Sequence, residues 1–204
     1  MTDILVLNYE YPPLGGGASP VTAELANTLS EWGHSIDVVT MRYNGQPRIE
    51  NDRDVTVYRT PSLRGSKSVC KTHEMLSFLP TGLWQAEKLI QENNYDVIHT
   101  HFIVPTGIIS SVLSQRHNIP ALVTVHGSDV PNYNPDRFEL AHRLIRPIWR
   151  KIVKTHDVIV SPSKYLSSKM EKEVTPKEIN IIPNGFDPHK FDTNTEKEPR
   201  ILVS

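Results

Sequence analysis

The sequence has little cysteine, little net charge and no long apolar segment. Its only cysteine is Cys70, which leaves no second thiol for an intrachain disulfide, so we expect a reducing, cytoplasmic location. The 204 residues include 22 Lys and Arg against 23 Asp and Glu, and this balance provides no overall field to attract nucleic acid. No stretch reaches the roughly 18 consecutive apolar residues of a membrane-spanning helix. These absences argue against a nucleic-acid partner and against an integral membrane protein.

Short apolar segments alternate with helical periodicity along the chain. Apolar runs predict strands at residues 4–7, 36–40, 55–58, 96–99, 121–125, 158–160 and 179–182. Helices are predicted between these strands. The alternation predicts an α/β fold, with a parallel sheet covered by helices on both faces. Such sheets bind ligands at the carboxyl ends of their strands.

Helical periodicity also predicts local details. In the first helix, spacing predicts that four apolar residues form the buried face: Val21, Leu25, Leu29 and Trp32. In the second helix, Pro80 and Gly82 predict a break near the start. Residues 43–54 and 63–73 are predicted to be loops.

A glycine cluster, Gly15-Gly16-Gly17, lies between the first strand and the first helix. Backbone amides without side chains beside them can approach a phosphate at a helix N-terminus, although a flexible loop explains the glycines equally well. Pro20 stands where a dinucleotide fingerprint requires glycine or alanine, so a nicotinamide cofactor is disfavoured. No Lys-Ser or Lys-Thr follows the glycines, which excludes a nucleotide-hydrolysing phosphate loop.

Histidines follow two neighbouring strands. His99 and His101 end one strand, and His126 and Asp129 follow the next, so we expect them at one edge of the sheet. A metal site of the metallohydrolase-barrel kind would use similar residues, but that barrel needs about 250 residues. For His99 and His101, hydrogen-bonded loop histidines without a metal are therefore the favoured interpretation. His126, at a strand end before a glycine, is the candidate catalytic or substrate-contacting residue.

The long helix predicted at about residues 138–154 carries basic residues on its polar side: Arg143, Arg146, Arg150 and Lys154. Such a helix can lie on an anionic membrane or hold an acidic acceptor. A core helix with a solvated charged face explains the same pattern, and both interpretations stay open.

The last residues change in composition. Residues 193–199 are polar and predict a linker, and residues 200–204 resemble the beginning of another apolar strand. We therefore expect one domain at residues 1–192, a linker, and the start of a truncated second domain.

The ordered set of motifs resembles the N-terminal half of family 4 glycosyltransferases. The motifs are Tyr11-Pro12-Pro13 with Gly16-Gly17, Glu24-Leu25-Ala26, Gly33-His34, Asp96-Val97-Ile98-His99 with His101, Val125-His126-Gly127, Val160-Ser161, and Ile182-Pro183-Asn184-Gly185 with Asp187 and Phe191. The resemblance covers nearly the whole chain, and the final motif is the most specific.

This resemblance implies a GT-B architecture of two Rossmann-like domains facing a cleft. It implies retaining sugar transfer from a nucleotide-sugar donor to a sugar, lipid or small-molecule acceptor, with no metal and no cofactor. The residues it implicates are His126 beside the reacting sugar, and Gly16 and Gly17 beside the donor diphosphate. We also expect Gly15 at the donor diphosphate, and His101, Asp129 and Asn184 in substrate binding. Acceptor contacts are expected on the loops 43–54 and 63–73.

Two alternatives stay open at this point. A sugar-nucleotide epimerase shares the GT-B architecture and would use the same cleft. A non-enzymatic sugar- or nucleotide-binding module is the other. Both enzymatic interpretations require the second domain of the GT-B architecture. The 204-residue chain alone is therefore expected to fold without catalysing transfer.

Overall fold

A computed structural model describes residues 1–131, 133 and 135–185, with the backbone alone for residues 135–144. The predicted linker and the start of a second domain, at residues 193–204, lie outside the described residues.

Eight strands and five helices make up the described part of the chain. The strands are β1 Asp3–Leu7, β2 Ser35–Met41, β3 Ile49–Asp52, β4 Val55–Thr60, β5 Val97–His101, β6 Ala121–Thr124, β7 Val158–Ser161 and β8 Ile179–Ile181. The helices are α1 Ala18–Glu31, α2 Thr72–Glu92, α3 Thr106–His117, α4 Pro135–Thr155 and α5 Lys164–Glu171. None of these helices is long and apolar enough to cross a bilayer.

All strands form one sheet in the order β3-β4-β2-β1-β5-β6-β7-β8. Every pairing is parallel except that of β3 with β4. The predicted α/β fold with a Rossmann-like sheet is therefore confirmed. The chain winds outward in both directions from β1, so the order reverses between β1 and β5, and such a switch point leaves a crevice at the carboxyl ends.

Strand β1 is buried on both faces because helices cover the sheet on both sides. Its odd residues Leu5 and Leu7 belong to a core cluster with Phe78 of α2. Its even residues Ile4 and Val6 belong to a second cluster, under α1. A third cluster, which includes Trp149 of α4, lies around β6 and β7.

The buried face of α1 differs from the prediction. Its buried residues are mostly small or polar: Ser19, Thr22, Ala23, Ala26 and Asn27. Trp32, expected to be buried, is 73% exposed. The small side chains let the helix approach β1 closely, where the Asn8 side chain donates to Thr22 Oγ1 at 2.7 Å. Apolar spacing alone missed this face because close packing favoured small residues over large ones.

Two other local predictions were wrong. Helix α2 begins at Thr72 and continues through Pro80, so the predicted break is absent from it. Its start is capped by Glu74, whose carboxylate accepts the backbone N–H of Lys71 at 2.8 Å. In the predicted loop 43–54, residues Ile49–Asp52 form β3, which pairs with β4. Strand β3 lies at the edge of the sheet farthest from β8 and has no buried residue, so its sequence lacked the apolar pattern of a strand.

Candidate active site

A cavity of about 800 Å³ opens at the carboxyl edge of the sheet, where the loops after β1, β5 and β6 meet. Five of the predicted site residues line it: Gly16, Gly17, His126, Asp129 and Asn184. The fold therefore brings together residues that are up to 168 positions apart in the sequence, from Gly16 to Asn184. Gly15 lies in the same loop as Gly16, and His101 lies behind His126.

Two of the three backbone amides of the glycine loop are hydrogen-bonded within the chain. Gly15 has a φ of +99°, and its N–H donates to the carbonyl oxygen of Lys67 at 2.9 Å. The N–H of Gly16 donates to Glu10 Oε2 at 3.2 Å. Gly17 is the N-cap of α1 and has no side chain to occupy the helix N-terminus. The amides of Gly15 and Gly16 thus already have partners, and Gly17 presents the helix end to the cavity.

Glu10 and Arg64 form a buried ion pair beside this loop, which sequence reasoning missed. Arg64 Nη2 lies 3.2 Å from Glu10 Oε1, and the arginine side chain is fully buried. Arg64 Nε also donates to the carbonyl oxygen of Ser66 at 2.8 Å. The pair links the glycine loop to residues 64–67. Its only sequence signal is a carboxylate directly before the Tyr11-Pro12-Pro13 motif.

Three histidines stack beneath the opposite side of the cavity. The ring centroids of His99 and His101 are 4.6 Å apart, and those of His101 and His126 are 5.3 Å apart. His101 Nδ1 and His126 Nε2 are 3.0 Å apart, and His99 Nε2 is 2.9 Å from Thr124 Oγ1. His101 is fully buried, so it contacts His126 rather than the space where a substrate would lie.

Burial keeps these histidines uncharged. It lowers the pKa of His99 to about 4, with the neighbouring His126 contributing in the same direction. Burial also holds the pKa of His101 well below its ordinary value. The pKa of His126 is lowered by burial as well, although the Asp129 carboxylate opposes this shift. At neutral pH the cluster is therefore a set of neutral hydrogen-bonding rings.

Asp129 joins the two loops that carry the histidines. Its Oδ2 accepts the N–H of Ile103, after β5, at 2.9 Å, and its Oδ1 accepts the N–H of His126, after β6, at 3.0 Å. Its backbone carbonyl accepts Trp149 Nε1–H at 2.7 Å. Because both carboxylate oxygens are engaged by amides, Asp129 fixes the wall of the cavity around His126.

Gly127 has a backbone conformation that favours glycine. Its φ is +94°, and a Cβ at this position would lie 2.8 Å from Cε1 of the Tyr133 ring. This glycine lets the chain turn directly after His126, so the imidazole is held at the end of β6.

The remaining wall of the cavity is largely apolar. Phe102, which has a φ of +70°, places its ring between those of Tyr9 and His126, at centroid distances of 4.9 and 4.6 Å. Val69 and Leu76 line the cavity from the other side and are more than half exposed. The predicted loop 63–73 therefore does contribute to the cavity, whereas no residue of 43–54 lines it.

The described residues contain no group of three or more His, Cys, Asp or Glu side chains arranged to hold a metal ion. The histidine rings stack instead of directing their nitrogens at one point.

The basic side chains of α4 that the structure describes, from Arg146 onward, do not line this cavity. Arg146 Nε donates to Glu173 Oε2 at 2.6 Å, and Arg150 Nε donates to the carbonyl oxygen of Glu173 at 2.9 Å. Lys154 is exposed and lines a second cavity at the amino ends of the strands, which Arg150 also lines. The side chain of Arg143 lies outside the described residues. Two of the four predicted cations are thus bonded within the chain.

The sheet order and the crevice at its switch point place the chain in the class of Rossmann-like α/β domains. The family model of Glycosyltransferase Family 4 matches residues 15–190, and the chain belongs to that family.

Curated relatives agree with this family. The chain is 26% identical over 202 residues to mannosylfructose-phosphate synthase of Agrobacterium fabrum, covering 89% of this chain and 44% of that protein. It is 25% identical over 189 residues to the UDP-Gal:alpha-D-GlcNAc-diphosphoundecaprenol alpha-1,3-galactosyltransferase of Escherichia coli, covering 92% of this chain and 46% of the relative. The chain therefore spans about half the length of these relatives.

Solved structures show the same fold. Sucrose-phosphate synthase of Thermosynechococcus elongatus superposes with a TM-score of 0.73 at 17% identity, covering 90% of this chain and 48% of that chain. The UDP-GlcNAc 2-epimerase of Methanocaldococcus jannaschii gives a TM-score of 0.51 at 10% identity, covering 89% of this chain and 45% of that chain. Both likenesses concern the fold alone.

Proposed function

We propose that the protein carrying this chain is a retaining glycosyltransferase, which moves a sugar from a nucleotide-sugar donor to an acceptor hydroxyl. The observation that supports this most is the juxtaposition, across one cavity, of an uncapped helix N-terminus at Gly17 and a neutral imidazole at His126. Membership of Glycosyltransferase Family 4 supports the same reaction.

The two sides of the cavity suit different parts of such a donor. A departing nucleoside diphosphate gains negative charge, which the positive end of α1 stabilises. His126 is uncharged at neutral pH and suits a hydrogen bond to a sugar hydroxyl or to an oxygen near the reacting carbon. We therefore assign the donor phosphates to the glycine loop and the transferred sugar to the side of His126.

Asn184 and Asp129 have different roles in this proposal. Asn184 is exposed and lines the cavity, so its amide is free to contact a substrate hydroxyl. Asp129 acts through the loops it joins, because its carboxylate oxygens already accept two backbone amides. We propose that it holds His126 in place rather than binding substrate directly.

A second domain is part of this proposal. Residues 1–192 would form the acceptor-side domain, residues 193–199 a linker, and residues 200–204 the start of a donor-binding domain. The glycine loop supplies one helix end to a diphosphate, and a second domain would supply the remaining donor contacts and exclude water on closing. The chain alone is then expected to fold and to lack transfer activity.

The acceptor is proposed to be a sugar, a lipid or a small molecule that enters beside residues 68–76. Exposed Val69 and Leu76 offer it an apolar surface. A cytoplasmic location and a peripheral contact with the inner face of the membrane, through the basic side of α4, are proposed as well. The exposed Lys151 and Lys154 support that contact.

The reaction is tested by incubating the intact protein with a panel of nucleotide sugars, with and without sugar and lipid acceptors. Transfer to an acceptor with retained anomeric configuration is the expected result. A changed sugar in the absence of any acceptor would indicate an epimerase instead. Binding of a nucleotide sugar without any turnover would favour a binding module and overturn the proposal.

A further inference from the structure

The contact between His101 and His126 contains one hydrogen bond whose direction decides what His126 offers to a ligand. His101 Nδ1 and His126 Nε2 are 3.0 Å apart. Burial lowers the pKa of both rings, so each is neutral and carries one ring proton. Only one of the two facing nitrogens is then protonated, and two arrangements are possible.

The far side of His101 distinguishes these arrangements. His101 Nε2 is buried and has no hydrogen-bond partner among the described residues. If His126 donated to His101, the His101 proton would lie on Nε2, leaving a buried N–H without an acceptor. Orphaned buried N–H groups are rarer in proteins than acceptors with unused lone pairs. The arrangement in which His101 Nδ1–H donates to His126 avoids this orphan.

The surroundings of His126 favour the same direction. Asp129 Oδ1 accepts the backbone N–H of His126 at 3.0 Å, and the carboxylate raises the pKa of that ring. Covalent geometry places Nδ1 nearer than Nε2 to the residue's own backbone. A negative charge at this end favours a proton on Nδ1 over a lone pair there.

We infer that His101 is a positioning residue, which donates from Nδ1 to His126 Nε2 and thereby fixes His126 as the Nδ1–H tautomer. The only unprotonated ring nitrogen of His126 then faces the protein interior. His126 then has no free unprotonated ring nitrogen to serve as a base towards an acceptor hydroxyl, and the Nδ1–H donor is the only polar ring group it can offer a ligand. The consequence for sugar transfer rests on the proposed function, whereas the tautomer does not.

The tautomer is measured directly by nuclear magnetic resonance of the intact protein labelled with ¹⁵N-histidine. Couplings between ring nitrogens and ring carbon-bound protons report which nitrogen of each histidine is protonated, and H126Q identifies the His126 signals by their loss. We expect His126 to be protonated at Nδ1 and His101 at Nδ1. A His126 protonated at Nε2 in the wild-type protein would overturn the inference without any variant having to fold.

Two substitutions at His101 test the causal step. H101D places a carboxylate, which accepts a hydrogen bond when ionised, opposite His126 Nε2, and H101N, of the same shape, keeps an N–H donor close to the position of Nδ1. We expect His126 to become protonated at Nε2 in H101D and to stay protonated at Nδ1 in H101N. An unchanged His126 tautomer in a folded H101D would overturn the role of His101.

Turnover separates this role from a purely structural one. Loss of the Nδ1–H donor of His126 is expected to lower kcat of H101D about tenfold, with the donor KM changed less. H101N should restore most of kcat. If the tautomers behave as expected while no nucleotide sugar is turned over by any form, the proposed function fails and the inference about His101 stands. Equal kcat losses in H101D and H101N, with different His126 tautomers, would overturn the catalytic consequence.

Discussion

The two sides of the cavity share one sheet edge but differ in their electrostatics. On the side of the glycine loop, Glu10 and Arg64 form a buried ion pair with nitrogen and oxygen 3.2 Å apart. On the opposite side, His99, His101 and His126 are neutral rings in a stack. An ion pair organises the first side, here called the charged side, whereas the rings of the second, here called the neutral side, are uncharged.

This difference matches the chemistry of a nucleotide sugar. A diphosphate brings its own negative charge and needs donors whose positions are set in advance. A transferred sugar is uncharged in the ground state, and neutral donors orient it without attracting water or competing anions. Under the proposed function, the two tasks fall to different loops: the loop after β1 holds the diphosphate, and the loop after β6 orients the sugar.

The largest effect is expected from replacing His126, whose ring lines the cavity on the neutral side. In H126A, kcat of the intact protein should fall about 100-fold, because one oriented donor near the reacting atoms is lost. Thermal unfolding should change much less, since His126 is only partly buried. Steady-state kinetics at saturating donor is the measurement, and unchanged turnover would remove His126 from the mechanism.

On the charged side, a single methyl group added at Gly15 is expected to disturb the glycine loop. In G15A, alanine must adopt a φ near +99°, and its Cβ would lie 2.5 Å from Glu10 Oε2. The positive φ alone costs about 1–2 kcal/mol, so we expect weaker donor binding together with a lower free energy of unfolding.

The neighbouring glycine provides a matched control for this substitution. A Cβ at Gly16 meets no heavy atom within 4 Å. The free energy of unfolding of G16A should therefore stay within about 0.5 kcal/mol of the wild type. Calorimetry measures donor binding by G15A, and denaturant titration compares the two variants. An equal loss of unfolding free energy in both would show that the backbone conformation at Gly15 is not the cause.

The neutral side should also make stability depend on pH. His99 has a folded-state pKa of about 4, below the ordinary value of 6.5, so the unfolded chain binds more protons between these values. The stability contributed by neutral His99 is fully present above about pH 6.5 and is lost as pH falls towards 4, by up to about 1.4 kcal/mol per pH unit.

Denaturant titrations between pH 7 and 4.5 measure this loss. In H99Q, the side-chain amide can still bond to Thr124 and does not titrate, so the slope of stability against pH should become shallower. H73Q is the control, because His73 is exposed. An equal slope of stability against pH in the wild type, H99Q and H73Q would show that a group other than His99 causes the loss of stability in acid.

The smallest effect concerns a surface remote from both sides. If Lys151 and Lys154 contact anionic lipid, the double variant K151Q/K154Q should reduce binding to vesicles by roughly 1 kcal/mol per charge, and salt should weaken binding of the wild type. K88Q, on the exposed surface of α2, is the control. Co-sedimentation with phosphatidylserine vesicles is the measurement, and no binding of the wild type at low salt would end the proposal.

Much of the fold could be predicted because buried parallel strands leave a strong signal. The runs at residues 4–7 and 121–125 are short and largely apolar, and both lie in interior strands. The edge strand β3 escaped prediction because none of its residues is buried. The face of α1 was mispredicted because its small residues pack closely, which hydrophobic spacing does not register.

The location of the site residues could be predicted from the sequence, but their hydrogen bonds could not. Strand ends followed by glycine pointed to His126 and to the glycine loop, and both do lie at the cavity. The sequence could not indicate that Glu10 would occupy the amide of Gly16, or that His101 would lie behind His126. Both contacts depend on side-chain directions and on residues far apart in the chain, so no local pattern encodes them.

The double engagement of Asp129 has a consequence for the internal motions of the domain. One carboxylate holds the amides of Ile103 and His126, which belong to loops after different strands. Neither amide is then expected to exchange its hydrogen with solvent by a local fluctuation of its own loop. We expect the two amide hydrogens to exchange together, at the rate at which the Asp129 side chain releases both amides. The two loops behind the cavity would then open as one cooperative unit.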